Sequence, residues 1–199
     1  MCVAVILCLF AATSASAQMG GRTFGSPGLS GLWHPVVGAA AYYNVQKTGR
    51  PVEPFNFAVI GKETVQGKNA VWVEFTMGGE RMGNVLAKEL VVFDPVSMQI
   101  QTFKGVVQMP GRPPMEIPAE MLHQQQPLQF KDARADSVDL GSQSVTMPAG
   151  TFPCEHYREK NGPSEFWVSE KVVPIGLVKS VDKDGQTTVL VKTVTTPRT

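Results

Sequence analysis

Met147 to Val181 reads M-P-A-G-T-F-P-C-E-H-Y-R-E-K-N-G-P-S-E-F-W-V-S-E-K-V-V-P-I-G-L-V-K-S-V. Turn signals divide this stretch at Pro148-Ala149-Gly150, Asn161-Gly162-Pro163 and Val173-Pro174-Ile175-Gly176. Between them Phe152, Cys154 and His156 alternate with Thr151, Glu155 and Tyr157. Phe166 and Val168 alternate with Glu165, Trp167 and Ser169. A period of two is that of a pleated strand, whose successive side chains point to opposite faces. The stretch is therefore expected to hold three short strands, and the rest of the chain repeats the pattern.

Upstream, Tyr42 to Lys47 is a first strand candidate. Phe55 to Gln66 is a second, with Phe55, Phe57 and Val59 on one face and Ala58 and Ile60 on the other. Gly67-Lys68-Asn69 is expected to make a tight hairpin turn. Ala70 to Met77 has the cleanest alternation: Val71, Val73, Phe75 and Met77 oppose Ala70, Trp72, Glu74 and Thr76. Val85 to Asp94 follows, although its V-L-A-K-E-L opening fits a helix as well as a strand. Met98 to Met109 is long enough to bend at Gly105. Downstream, Val138 to Met147 resumes the pattern. Asp182 to Gly185 reads as a hairpin turn into Gln186–Val194, a β-branched last strand. The total is roughly ten strands at the spacing of barrels and sandwiches.

The prolines at 110, 113, 114 and 118 exclude the segment after Met109 from a sheet interior. Pro118 to Gln124 reads as a short helix, with proline at its first turn, Met121 and Leu122 as its apolar residues and Pro127 as its stop.

The chain has 199 residues, a formal net charge of +1 and 18% charged residues. That is one domain's length, and it gives no electrostatic reason for a nucleic-acid partner. With 19 Gly and 15 Pro, many short strands are favoured over a helical bundle. Residues 1–17 read as a signal peptide. Val3–Ala12 is an apolar run too short to span a bilayer, and Ala15-Ser16-Ala17 fits a cleavage site before Gln18, although Met1-Cys2 brings no basic residue. Residues 18–31 read as a flexible lead-in, and 32–199 as a single domain. Cleavage would leave Cys154 as the lone cysteine, without an internal disulfide.

Cys154 and His156 share a strand face, the proximity that a thiolate–imidazolium pair or a metal site requires. A zinc ion would need two further ligands, and neither His34 nor His123 has a recognisable spacing to this pair. The favoured reading is a packed cysteine with a hydrogen-bonded histidine. No G-x-S-x-G, H-E-x-x-H or P-loop pattern occurs, so no catalytic residue, metal or cofactor is assigned and enzymatic activity is not expected. Lys171, Lys179 and Lys183 with Arg158 and Lys160 are offset by acidic neighbours. They read as a solvated face, with attraction to anionic lipid headgroups as the sharper alternative. Seven methionines from Met77 to Met147 suit an adaptable apolar cavity as well as an ordinary core.

Three segments carry a resemblance: A-V-I-G-K-E-T-V-Q-G-K-N-A-V-W-V-E-F at Ala58–Phe75, V-T-M-P-A-G-T-F-P-C-E-H-Y-R at Val145–Arg158, and F-W-V-S-E-K-V-V-P-I-G-L-V-K-S at Phe166–Ser180. In these the chain resembles the LolA/LolB-like superfamily of lipoprotein-carrier folds, and more closely an uncharacterised exported bacterial subgroup of it. The resemblance implies a mainly β protein: a strongly curved antiparallel sheet forming a half-open barrel, with short helices as a lid. It also implies an apolar interior that holds acyl chains. No arginine matches the gate of the true carriers, so lipoprotein transfer does not carry over.

The resulting expectation is an exported protein, periplasmic if the source is Gram-negative, that binds a lipid or other hydrophobic small molecule and is not transmembrane. The expected lining is Val71, Val73, Phe75, Met77, Phe93, Met98 and Ile100, with Met121 and Leu122 as lid. The alternative is a filled barrel that docks to an envelope protein partner. A thiol enzyme built on Cys154 and His156 is the third reading.

Overall fold

A computed structural model describes residues 33–77, 85–94, 96, 99–124, 128–129 and 134–195. Residues 1–17, expected as a signal peptide, residues 18–31, expected as a lead-in, Met98 and Pro127 lie outside the described residues. Among the described residues twelve strands run in chain order: β1 (Ala40–Gln46), β2 (Glu53–Val65), β3 (Lys68–Met77), β4 (Val85–Asp94), β5 (Gln99–Gln108), β6 (Met115–Glu116), β7 (Leu128–Gln129), β8 (Ser137–Met147), β9 (Gly150–Glu159), β10 (Glu165–Val168), β11 (Leu177–Val181) and β12 (Thr187–Val194). A six-residue helix, α1 (Ala119–Gln124), precedes β7. The ambiguous opening of Val85–Asp94 is strand, because Val85, Ala87 and Val91 are buried together on the core side of the sheet. Tertiary burial decides what a short apolar run leaves open.

All strands join one antiparallel sheet in the order β6-β5-β4-β3-β2-β1-β12-β11-β10-β9-β8, and β7 pairs with β5. Two meanders thus meet at the β1–β12 ladder in the middle. The chain leaves the first meander at one end of the sheet and enters the second at the other. The described ladders do not close the ring: β6 and β8 stand at opposite ends.

One face, here the core face, carries Val59, Val73, Val91 and Leu190, all completely buried. The only helix among the described residues has six residues, so no helical layer covers this face. An apolar sheet face must be covered, and here the sheet curves to cover itself. Consistently, β8 comes back against β12 without forming a ladder with it. Tyr43 on β1 reaches past β12 and donates to the Leu177 carbonyl of β11 at 3.0 Å. The loop after β10 adds Val172 and Ile175 to the same core, and Trp33 meets Phe57 edge-on at 5.7 Å.

Curvature is concentrated at bulges. The β2–β3 register shifts between Val59 and Gly61, the β4–β5 register between Leu90 and Val91, and the β8–β9 register between Asp139 and Gly141. An extra residue bends its strand and increases the twist. The bend expected at Gly105 falls instead just before it, where Phe103 is the inserted residue. The β2–β3 turn is also one step from its expected place. It consists of Gln66 (φ 52°) and Gly67 (φ 73°), flanked by the Val65–Lys68 pair. Two positive φ values make the two-residue turn whose twist suits a hairpin.

Candidate functional site

Alternation and register fix the core face of β3–β5 residue by residue. β3 contributes Val71, Val73 and Phe75; β4 contributes Val85, Ala87, Glu89, Val91 and Phe93; β5 contributes Ile100, Thr102, Gly105 and Val107. Seven of the nine residues expected to line a cavity or its lid have described side chains. Val71, Val73, Phe75, Phe93 and Ile100 belong to one apolar cluster, with Val71 and Phe93 half-buried at its margin. Leu122 on α1 is buried, whereas its neighbour Met121 is 52% exposed. Met77 ends β3, and its side chain, like Met98, is outside the described set.

At position 105 the segment before α1 continues the β5–β6 pairing by one step. The Ile117 amide donates to the Gly105 carbonyl at 2.8 Å. A Cβ on Gly105 would come within 2.7 Å of the Ile117 side chain. The glycine is needed for this close approach, not for an unusual φ.

Within this apolar face sit two polar residues that sequence reasoning did not single out, Glu89 and Thr102. The Thr102 hydroxyl lies 3.3 Å from Glu89 Oε2 and donates to it. Burial pushes the Glu89 carboxyl above the ordinary carboxylate range, and the Thr102 hydrogen bond offsets this only in part. A polar residue in phase with the core face of a strand was the available signal.

Cys154 and His156 do lie two residues apart on β9, but they face different partners. Cys154 is buried, its thiol points to the Phe152 carbonyl at 3.5 Å, and burial pushes it up to about 11. His156 stacks on Trp167 at 4.2 Å and meets Glu165 Oε2 through Nε2 at 2.9 Å. Lys179 covers the other part of Trp167, 4.6 Å from its ring centre. This column, together with the apolar cluster to which Trp167 belongs, leaves Trp167 only 8% exposed. A raised thiol pKa is the opposite of what a thiolate nucleophile requires. Among the described residues no group of three or more His, Cys, Asp or Glu is placed to hold a metal ion.

A separate open hollow of about 440 Å³ lies where β8 and β9 meet the loop after β10. Ser142, Gln143, Ser144, Glu155, Ser169 and Lys171 give it a polar rim, and none of the nine residues expected to line a cavity or its lid borders it. Among the described residues no helix is long and apolar enough to cross a membrane.

The fold and this face define a class: a curved, open, antiparallel β-sheet protein with little helix. Neither protein-family models nor curated proteins give a match to the chain. Two solved structures are similar over most of it. One, from Parabacteroides distasonis, is described provisionally as a lipoprotein; it has 15% identity, covering 81% of this chain and 97% of that one, with a TM-score of 0.40. The other, from Bacteroides fragilis, is described provisionally as an exported protein with a YmcC-like fold; it has 13% identity, covering 81% and 98%, with a TM-score of 0.40. Neither description names the lipoprotein carriers.

Proposed function

We propose that the protein is exported and binds a lipid or another molecule with an aliphatic chain on the core face of β3–β5, without catalysing a reaction. The observation that supports this most is the continuity of Val71, Val73, Val91, Phe93 and Ile100 across three neighbouring strands, half-buried at its margin. The apolar run Val3–Ala12 followed by Ala15-Ser16-Ala17 supports export, and the resemblance to lipoprotein carriers agrees with both. Burial would drive binding. At about 25 cal/mol per Å², each methylene taken from water contributes roughly 0.8 kcal/mol. The segment at Ile117 and the six-residue α1 are short enough to shift when a chain binds.

A second reading rests on the centre of the sheet. Tyr43, Phe57, Phe166 and Leu190 are completely or almost completely buried there, and the loop bearing Val172 and Ile175 packs among them. On β3–β5 Val73, Phe75, Val91 and Ile100 are likewise buried by the protein's own side chains; a face that stays filled in this way makes the protein an interaction module of the envelope rather than a binder.

Native mass spectrometry of the protein purified from its own envelope separates the two. A co-purifying species of lipid mass, lost on organic extraction, is the result expected of a binder. Bare protein mass, with no uptake of added lipid, would leave the docking module. N-terminal sequencing of the same sample should begin at Gln18.

A further inference from the structure

Glu89 is the residue that neither reading explains. It stands in the middle strand of the apolar face. Its ladder partners are Val73 on β3 and Gly105 on β5, and Ala87 and Val91 lie on the same face of its own strand. Ile117 lies over Gly105 beside it. An ionised carboxylate has about four acceptor sites. Thr102 fills one, with a 3.3 Å bond. A half-buried carboxyl set among apolar side chains with so little compensation calls for an explanation.

Resting on the reading that this face takes an aliphatic chain, we propose that Glu89 and Thr102 hold the polar end of that ligand, and that this end is an aliphatic ammonium group. The chemistry selects the class. A carboxyl in an apolar site lacks donors and positive charge, and an ammonium supplies three donors and a charge. A hydroxyl headgroup supplies one neutral hydrogen bond, of smaller net value. An anionic headgroup places like charge against Glu89 and is disfavoured. Val71 and Phe93, half-buried on the same face, would lie along the chain.

The test is calorimetric titration of the mature chain with decylammonium, decanol and decanoate, each below its micelle concentration. Decylammonium should bind at least tenfold more tightly than decanol, and decanoate most weakly. Glu89→Gln should bring decylammonium to the level of decanol and leave decanol unchanged. Thr102→Val should cost a few-fold for the amine alone. Circular dichroism and melting of each variant check folding, and if Glu89→Gln does not fold, the wild-type ranking and Thr102→Val decide. Equal binding of all three probes by the wild type overturns the proposal and leaves the apolar reading standing. So does a preference for the amine that survives in Glu89→Gln, which would make Glu89 a structural residue. Binding of none of the probes overturns the apolar reading, and this proposal with it.

Discussion

Lys104 on β5 donates to Glu63 on β2 at 2.8 Å, although β3 and β4 lie between their strands. Three strand spacings amount to roughly 14 Å in a flat sheet. The bridge is made because bulges in β2 and β5 curl this corner toward the reverse face. Beneath it Ala70, Leu90 and Val92 form a small second core, with Val65, Trp72 and Phe103 around them. The Trp72 indole also donates to Glu63, at 3.0 Å. The hydrogen bonds from Lys104 and then Trp72 hold the Glu63 carboxyl below its ordinary range. Its stabilising contribution is therefore complete above the ordinary carboxylate pKa and is lost as pH falls through the lowered one. Lys104→Met should move the Glu63 titration upward, as followed by carboxyl NMR. Both groups are substantially exposed, so added salt should weaken the effect. An unchanged titration would mean that the bridge is not held in solution.

The Gln66–Gly67 turn predicts opposite effects at its two positions. Gln66 adopts φ 52°, where asparagine is tolerated better than glutamine, so Gln66→Asn should raise stability by up to about 1 kcal/mol. Gly67 has open space around a would-be Cβ, so the cost of Gly67→Ala is conformational, about 1 kcal/mol at φ 73°. Denaturant midpoints measure both. Destabilisation by Gln66→Asn would contradict this turn geometry.

At Gly105 the strain is steric. A methyl there meets Ile117 and must push it aside, so Gly105→Ala should cost roughly 1–3 kcal/mol, as overpacking does. Combining it with Ile117→Ala should recover much of that loss, because the clash is with the Ile117 side chain. Additive losses in the double-mutant cycle would show that the two positions do not touch.

Cys154 should react slowly. Its thiol is buried and pushed up to about 11, so at pH 8 iodoacetamide should label the folded protein far more slowly than the urea-unfolded chain. The shift favours the neutral thiol in the folded state. Stability should therefore fall as pH rises above the unfolded thiol pKa toward 11. Mass spectrometry of timed reactions gives the rates. Labelling as fast as in urea would restore the thiol-enzyme reading.

Several features could be read from residue order because they depend on neighbours along the chain. Alternation locates β3, β9, β10 and β12 to within a few residues. Proline and helix formers locate α1, and the Asp182–Gly185 turn appears as expected, with Asp182 Oδ1 accepting from the Asp184 and Gln186 amides. Other features could not be read this way. The two-residue strands β6 and β7 have no periodicity of their own and exist only as partners of β5. Glu89 and Thr102 looked like ordinary polar strand residues until register set them on the core face.

By itself, then, the order of residues determined where most strands and turns fall and which side chains share a face, because these follow from backbone sterics and a two-residue repeat. Only the tertiary structure decided that β1 pairs with β12, and that a corner curls back to join Lys104 to Glu63. It alone placed a carboxyl among Val73, Ala87 and Val91. Those outcomes depend on bulges and on pairing between distant segments. The free energy there comes from contacts between residues far apart in the chain, which no local pattern encodes.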